Sequence, residues 1–156
     1  MRFTLFMAGL AGLGACSSPG SGAGPEPVNL CQGNAQCVSA PARDVLAVDG
    51  DTFELQRLTD RGVQRVRLRL IGWDSPESGE AANCLEEGDL GVEVERRAQA
   101  LFAEGRTVMF LPDGLDRYGR TRAHVWLDGV HIGWRLAQEG LARRVDEAGR
   151  RPDWCG

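Results

Sequence analysis

The stretch Arg69-Leu70-Ile71-Gly72-Trp73-Asp74-Ser75-Pro76-Glu77 gathers three chemistry-bearing side chains at the end of one apolar run. An arginine fork holds a phosphate through paired hydrogen bonds, an aspartate ligates a hard cation, and a glutamate three residues further on takes a proton from water. Those are the components of a phosphodiester-cleaving site. The same residues also suit an ordinary loop, because Asp and Ser satisfy backbone groups in turns and Pro ends a strand. What decides between the two readings lies elsewhere in the chain.

Alternation positions the arginine. Val66, Leu68 and Leu70 alternate with Arg65, Arg67 and Arg69, which predicts a strand with one core face and one basic face. Upstream, residues 44–48 and 52–58 predict two strands around the Asp49-Gly50-Asp51 turn, with Phe53 and Leu55 sharing a face. Downstream, Leu90, Val94, Ala98, Leu101 and Phe102 recur at helical spacing, and Gly105 ends the run. Residues 106–111 and 121–127 predict two more strands, and Ile132, Leu136 and Ala137 a short helix closed by Gly140. The result is an α+β chain, mainly β. Its element order matches a five-stranded oligonucleotide-binding (OB-fold) barrel with a helix between strands 3 and 4 and a short C-terminal helix. Element order alone leaves other small five-stranded α+β folds open.

A chain of 156 residues with 42% apolar content fits one ordinary core preceded by a leader. The formal net charge of −4 argues against a protein that coats nucleic acid non-specifically, which needs many basic contacts to phosphate. Charge is segregated, however. Residues 57–73 carry five Arg and one Asp, whereas residues 74–95 carry eight acids and no base. Such a pairing suits a site that holds an anion and a cation, although two solvated faces of opposite sign produce it too. The cluster Glu86, Glu87, Asp89, Glu93 and Glu95 reads as a solvated helix start that complements the dipole. Histidine-based and serine-nucleophile mechanisms fit worse. His124 and His131 lie in strand or apolar contexts that suit packed or surface imidazoles, and neither Ser75 nor Ser78 has a recognisable partner base.

Met1-Arg2 precedes an apolar run from Phe3 to Gly14, too short to span a bilayer and the right length for a signal-peptide core. Residues 1–15 are therefore expected to direct export. Leu13-Gly14-Ala15-Cys16 resembles the cleavage box of bacterial lipoprotein signals, in which the cysteine becomes the lipidated first residue. That makes Cys16 the expected membrane anchor, at the cell envelope or cell surface. A plain secretory signal with an incidental cysteine is the competing reading. Residues 16–42 read as a flexible Pro/Gly/Ser tether with a small Cys31/Cys37 loop, and residues 43–156 as the folded domain. Cys31, Cys37, Cys84 and Cys155 are an even number in an exported chain, which argues for two disulfides. Three connectivities are open. The short span favours Cys31–Cys37, leaving Cys84–Cys155 to pin the C-terminus onto the domain. Zinc is the competing use, but there is no Cys-x-x-Cys pair.

Val48-Asp49-Gly50-Asp51-Thr52, the 69–77 stretch and Asp116-Arg117-Tyr118-Gly119-Arg120 together resemble the thermonuclease, or staphylococcal nuclease-like, family. The similarity covers roughly residues 43–142. Members are calcium-dependent phosphodiesterases on an oligonucleotide-binding barrel. The resemblance implies that Asp51 and Asp74 are Ca2+ carboxylates, that the Ser75 backbone carbonyl is a further ligand, and that Asp49 supports the metal from behind. It implies Glu77 as the group that activates water, Arg69 and Arg120 as the phosphate grip, and Tyr118 as a neighbour of the bound nucleotide. Such a protein would be a monomeric, membrane-tethered endonuclease acting on DNA and, as a further substrate, RNA, with little sequence specificity and 3'-phosphate products. A non-catalytic barrel holding single-stranded nucleic acid or a surface partner is the alternative. A calcium-stabilised structural lipoprotein is a third reading. The family's long C-terminal helix has no counterpart here, and a Cys84–Cys155 disulfide with a buried Trp154 is expected to take its place.

Overall fold

The computed structural model describes residues 23–156, so the expected signal segment and the lipidation residue Cys16 lie outside the described residues. In chain order the elements are β1 (Val38–Pro41), β2 (Val45–Ala47), β3 (Thr52–Thr59), β4 (Gly62–Leu70), β5 (Trp73–Asp74), α1 (Leu85–Glu104), β6 (Thr107–Leu115), β7 (Thr121–Leu127), β8 (Val130–His131), α2 (Ile132–Gln138) and β9 (Arg143–Arg144). Every strand and helix read from periodicity is present. In β4 the alternation buries Leu68 and Leu70 and leaves Arg65 and Arg67 exposed.

β3 and β4 form an antiparallel ribbon running from Thr52 opposite Arg69 to Thr59 opposite Gly62. β4 then pairs with β7 in parallel, and β7 with β6 antiparallel. The resulting neighbour order, β2-β3-β4-β7-β6 with α1 between β4 and β6, is that of the oligonucleotide-binding barrel.

β1 and β2 are two halves of one barrel strand, broken by a 3-10 turn at Ala42–Asp44. The first half pairs with β6 and the second with β3, so a single piece of chain joins both edges of the curled sheet. Strand pairing therefore begins at Val38, ahead of the boundary read from composition. Ala40 and Ala42 are buried, as is Ala23. The segment expected to be a flexible tether docks through its carbonyls: Trp134 Nε1 donates to Gly24 O at 3.0 Å, and Arg144 Nη2 to Pro25 O at 3.4 Å. Backbone acceptors carry no side-chain periodicity, which is why a Pro/Gly-rich stretch conceals such docking.

α1 lays Val94, Ala98, Leu101 and Phe102 into the core, where the Phe102 ring meets Phe53 edge-on at 5.1 Å. Truncating either ring to Ala should cost about 3–5 kcal/mol. The helix begins at Leu85, earlier than its first periodic leucine, with Cys84 as N-cap accepting from Glu87 N at 3.4 Å. Both disulfides, Cys31–Cys37 and Cys84–Cys155, form as the cysteine spacing favoured, and Trp154 is buried. Among the described residues no helix is long and apolar enough to cross a membrane.

Candidate active site

The β3–β4 register brings the first and second sequence motifs together. Asp51 sits at the start of β3 and Arg69 near the end of β4, and Leu70 N donates to Asp51 O at 2.8 Å. Arg69 Nη1 makes a short ion pair with Asp51 Oδ1, and its Nη2 reaches Asp74 Oδ1 at 3.5 Å. One guanidinium thus spans both carboxylates expected to hold a cation. Ser75 N donates to Asp51 Oδ2 at 3.3 Å, tying the third expected ligand residue to the first. Gly50 permits this closeness, since a Cβ there would lie 2.6 Å from Ser75 Cβ. Asp49 accepts from Asp51 N at 2.9 Å, so its role is to hold the turn that presents Asp51.

Glu77 is fixed from below by α1. Its N–H donates to Glu87 Oε1 at 3.3 Å, and Glu87 also accepts from Asn83 N at 2.7 Å and Asn83 Nδ2 at 2.8 Å. Those hydrogen bonds, led by the one from Asn83 N, hold the Glu87 carboxyl below its ordinary value against the opposing effect of burial. Read from sequence as part of a solvated acidic cluster, Glu87 is instead buried. Gly91 lies one turn further along α1, where a Cβ would sit 2.7 Å from Ser78 N. The helix therefore packs directly on the backbone that carries Glu77.

The third motif forms the β6–β7 loop. Asp116 Oδ1 accepts from Tyr118 N and Arg120 N, both at 2.9 Å, and Asp116 Oδ2 accepts from Arg120 Nε at 2.6 Å. Burial works to raise the Asp116 carboxyl, and these hydrogen bonds outweigh it and leave the group below its ordinary value. Arg120 Nη1 donates to Thr52 Oγ1 at 3.3 Å, and Thr52 Oγ1 in turn donates to Asp51 Oδ1 at 3.3 Å. Buried Thr52 is thus a link between the two halves of the site that sequence reading passed over. Tyr118 stands exposed at the rim with the Arg117 and Arg120 guanidiniums 4.8 and 5.4 Å from its ring centre.

A further participant comes from the C-terminal segment. Arg151 Nε makes a short hydrogen bond to Asp74 Oδ1, its Nη2 donates to Glu77 Oε1 at 2.6 Å, and Trp154 Nε1 donates to Asp74 Oδ2 at 2.9 Å. Burial works against the Arg151 charge, but the two carboxylates override it and keep the guanidinium more firmly protonated than usual. A sequence signal for this was available. Asp146-Glu147-Ala148-Gly149-Arg150 repeats the Asp-x-x-Gly-Arg pattern of residues 116–120. The turn repeats too: Gly149 N donates to Asp146 O at 2.9 Å, Arg150 N to Asp146 Oδ1 at 2.8 Å and Arg150 Nε to Asp146 Oδ2 at 2.6 Å. The two turn glycines have φ of 77° and 76°, the left-handed region that glycine enters without penalty.

A cleft of about 620 Å3 is lined by Asp49, Arg69, Glu77, Tyr118, Arg120 and Arg151, among others. Asp51 and Asp74 are buried behind it, 2% and 0% exposed. Burial pushes the Asp51 carboxyl up to about 8, with Arg69 pulling it down and Asp49 and Asp74 pushing it further up. The all-oxygen donor set of Asp51, Asp74 and the Ser75 carbonyl fits a hard cation such as calcium. The one cluster of Cys, His, Asp and Glu ligand atoms within 4.8 Å among the described residues, Cys84, Glu87 and Cys155, is a disulfide beside its capping glutamate. It is no metal site. Neither imidazole lines the cleft: His131 is fully buried against Trp73 and Trp126, and His124 packs beside both Trp126 and His131.

Known proteins to which this chain is similar carry nuclease names. The chain is 36% identical over 100 residues to the SPbeta prophage-derived endonuclease YokF of Bacillus subtilis (strain 168), covering 62% of this chain and 31% of that one. It is 31% identical over 99 residues to endonuclease YncB of the same strain, covering 62% and 44% of the two chains. Against the thermonuclease of Staphylococcus intermedius it is 33% identical over 106 residues, covering 62% and 54%. The matched part thus spans from about a third to little more than half the length of these curated relatives. Residues 67–153, more than half of the chain, match the family model described as staphylococcal nuclease homologue, and the chain belongs to that family.

Proposed function

We propose that the protein is a calcium-dependent nuclease that hydrolyses phosphodiester bonds of DNA, with RNA as a second substrate and little sequence preference. The observation that carries this reading is convergence. Arg69, Glu77 and Arg120 line one cleft although they come from β4, the β5–α1 connection and the β6–β7 loop. The names of the relatives, two endonucleases and a thermonuclease, support the same class.

Each residue has a distinct task. Arg69 and Arg120 offer guanidinium forks to the phosphoryl oxygens, where charge accumulates as the transition state forms. Glu77 keeps 27% of its side chain exposed, within reach of water. It takes a proton from the water whose oxygen bonds to phosphorus as the bond to the 5' oxygen breaks, and that oxygen is protonated from solvent. The products are a 3'-phosphate and a 5'-hydroxyl. A calcium ion held by Asp51, Asp74 and the Ser75 carbonyl would add positive charge against the phosphoryl oxygens. Low sequence preference follows because these contacts address phosphate, with exposed Tyr118 offering a face for a base. The leader supports export and anchoring through Cys16, with the nuclease acting as a monomer at the cell envelope.

The test is cleavage of a quenched fluorescent oligonucleotide by the purified chain with calcium, with a chelator, and with Glu77→Gln. Calcium-dependent cleavage should fall about 10²- to 10⁴-fold in the Gln variant while oligonucleotide binding persists. Cleavage that survives the chelator or the substitution would remove the cation or the base from this mechanism.

A further inference from the structure

We propose that Arg151 is a positioning residue of this site, and that the Cys84–Cys155 disulfide is what delivers it. The inference rests on the nuclease reading for its kinetic consequence and on geometry alone for its contacts. Arg151 has two acidic partners 77 and 74 residues away in sequence, Asp74 and Glu77. Both of its engaged nitrogens, Nε and Nη2, are spent on those carboxylates, so the guanidinium orients them rather than offering a free fork to phosphate.

The contacts close into a ring. Glu77 Oε1 accepts from Arg151, and Glu77 N donates to Glu87 on α1. Glu87 lies 3.9 Å from Cys155 Sγ, and Cys155 is bonded to Cys84, the N-cap of the same helix. Between Arg151 and Cys155, Trp154 is buried with its Nε1 on Asp74 Oδ2, and the Arg143 guanidinium covers its ring at 4.1 Å. The tail is thus gripped at both of its active residues. An exposed ion pair on a free tail would contribute little. Here the covalent link and the buried indole remove most of the freedom that such a pair ordinarily has to surrender.

Two consequences follow. Without Arg151, Glu77 loses the partner that fixes its carboxylate, so turnover falls while phosphate binding by Arg69 and Arg120 persists. Without Arg151, Asp74 also loses a competing positive charge, so it binds a cation more tightly. Slower turnover with tighter cation binding is a combination that simple damage to the fold does not produce.

The experiment compares wild type, Arg151→Ala, Arg151→Lys, Cys84→Ser/Cys155→Ser and the triple variant carrying Arg151→Ala. Arg151→Ala should lower kcat by about 10- to 100-fold with KM little changed. Arg151→Lys, which keeps the charge but loses the fork, should fall between it and wild type. The cysteine variant should match Arg151→Ala, and the triple variant should be no worse than either, because both changes break the same contact. Calcium titrated by calorimetry should bind Arg151→Ala severalfold more tightly than wild type. A kcat unchanged in Arg151→Ala, a loss confined to KM, or full additivity in the triple variant would overturn the proposal. Calcium affinity that is unchanged or weaker would overturn it as well. If wild type cleaves nothing, the nuclease reading fails, and the calcium comparison still decides whether Arg151 occupies Asp74.

Discussion

In the β6–β7 loop the arginine that closes the Asp-x-x-Gly-Arg turn, Arg120, enters the cleft, whereas in the tail the equivalent Arg150 is 81% exposed and its neighbour Arg151 enters instead. The turns share the glycine N–H bond to the aspartate carbonyl and the arginine N and Nε bonds to the aspartate carboxylate. What differs is how their ends are held. Residues 116–120 are flanked by β6 and β7, with Leu115 paired to Thr121 across the loop, so the ladder sets the direction of Arg120. Residues 146–150 have a strand on one side only: Val145 N donates to Gly72 O at 3.1 Å, and β9 pairs with β5. On the other side the anchor is the disulfide and Trp154. A local motif therefore specifies the turn, and its anchorage specifies which arginine the site receives.

Breaking the first turn should have the largest effect. Asp116→Ala removes the acceptor for Tyr118 N, Arg120 N and Arg120 Nε at once. Of the side-chain hydrogen bonds of Arg120, the 3.3 Å one to Thr52 would then remain. Losing one oriented donor to a developing phosphoryl charge costs about 10²- to 10³-fold. Cleavage assays should show kcat/KM for Asp116→Ala reduced by that order at an almost unchanged melting temperature. A reduction of less than tenfold would mean that the strands alone aim Arg120.

Acid should test the second anchorage. The β5–β9 ribbon from which the tail turn hangs carries Trp73, whose ring packs 5.9 Å from His131. Among the described residues neither His131 nitrogen has a hydrogen-bond partner, and burial pushes the imidazole down to about 4, with His124 and Arg144 adding repulsion. In the unfolded chain a histidine titrates near 6.5, so below that pH the unfolded state binds a proton that the folded state refuses. The contribution of this group is complete above about 6.5 and is lost as the pH falls toward 4, by about 3 kcal/mol. As the pH falls across that window, the melting temperature of His131→Phe should gain on that of wild type, because the buried carboxyl of Asp51 titrates alike in both. Equal slopes would show that other groups govern the acid limb.

The contrast also marks what a sequence discloses. Arg69, Asp74 and Glu77 were legible because one strand and its exit carry all three, so spacing alone puts them near one another. The strands of the barrel were legible because β4 buries alternate residues, and α1 because Val94, Ala98, Leu101 and Phe102 share a stripe. Arg151 was not, because its partners lie more than seventy residues away and the repeated turn gives no direction. Glu87 was hidden among acids that do face water, although it sits three residues after the N-cap, where a glutamate commonly turns back onto the chain before the helix. β1 was missed because a four-residue strand containing Pro41 shows too little alternation, and only its pairing with β6 defines it.

The smallest effect expected is the one that separates turn from anchor most cleanly. Asp146→Ala deletes from the tail the arginine N and Nε hydrogen bonds that Asp116→Ala deletes from the loop. Arg151, however, keeps Asp74 and Glu77 as partners and stays between β9 and a disulfide-held Trp154. With a turn that is mostly solvent-exposed, the loss should stay within about threefold in kcat, since surface pairs of this kind contribute little. In Cys84→Ser/Cys155→Ser the same substitution should add nothing, because the tail has already left the site. A tenfold loss from Asp146→Ala in the disulfide-bonded protein would reverse the ranking: the turn would then be what aims Arg151, and the disulfide only what keeps the tail nearby.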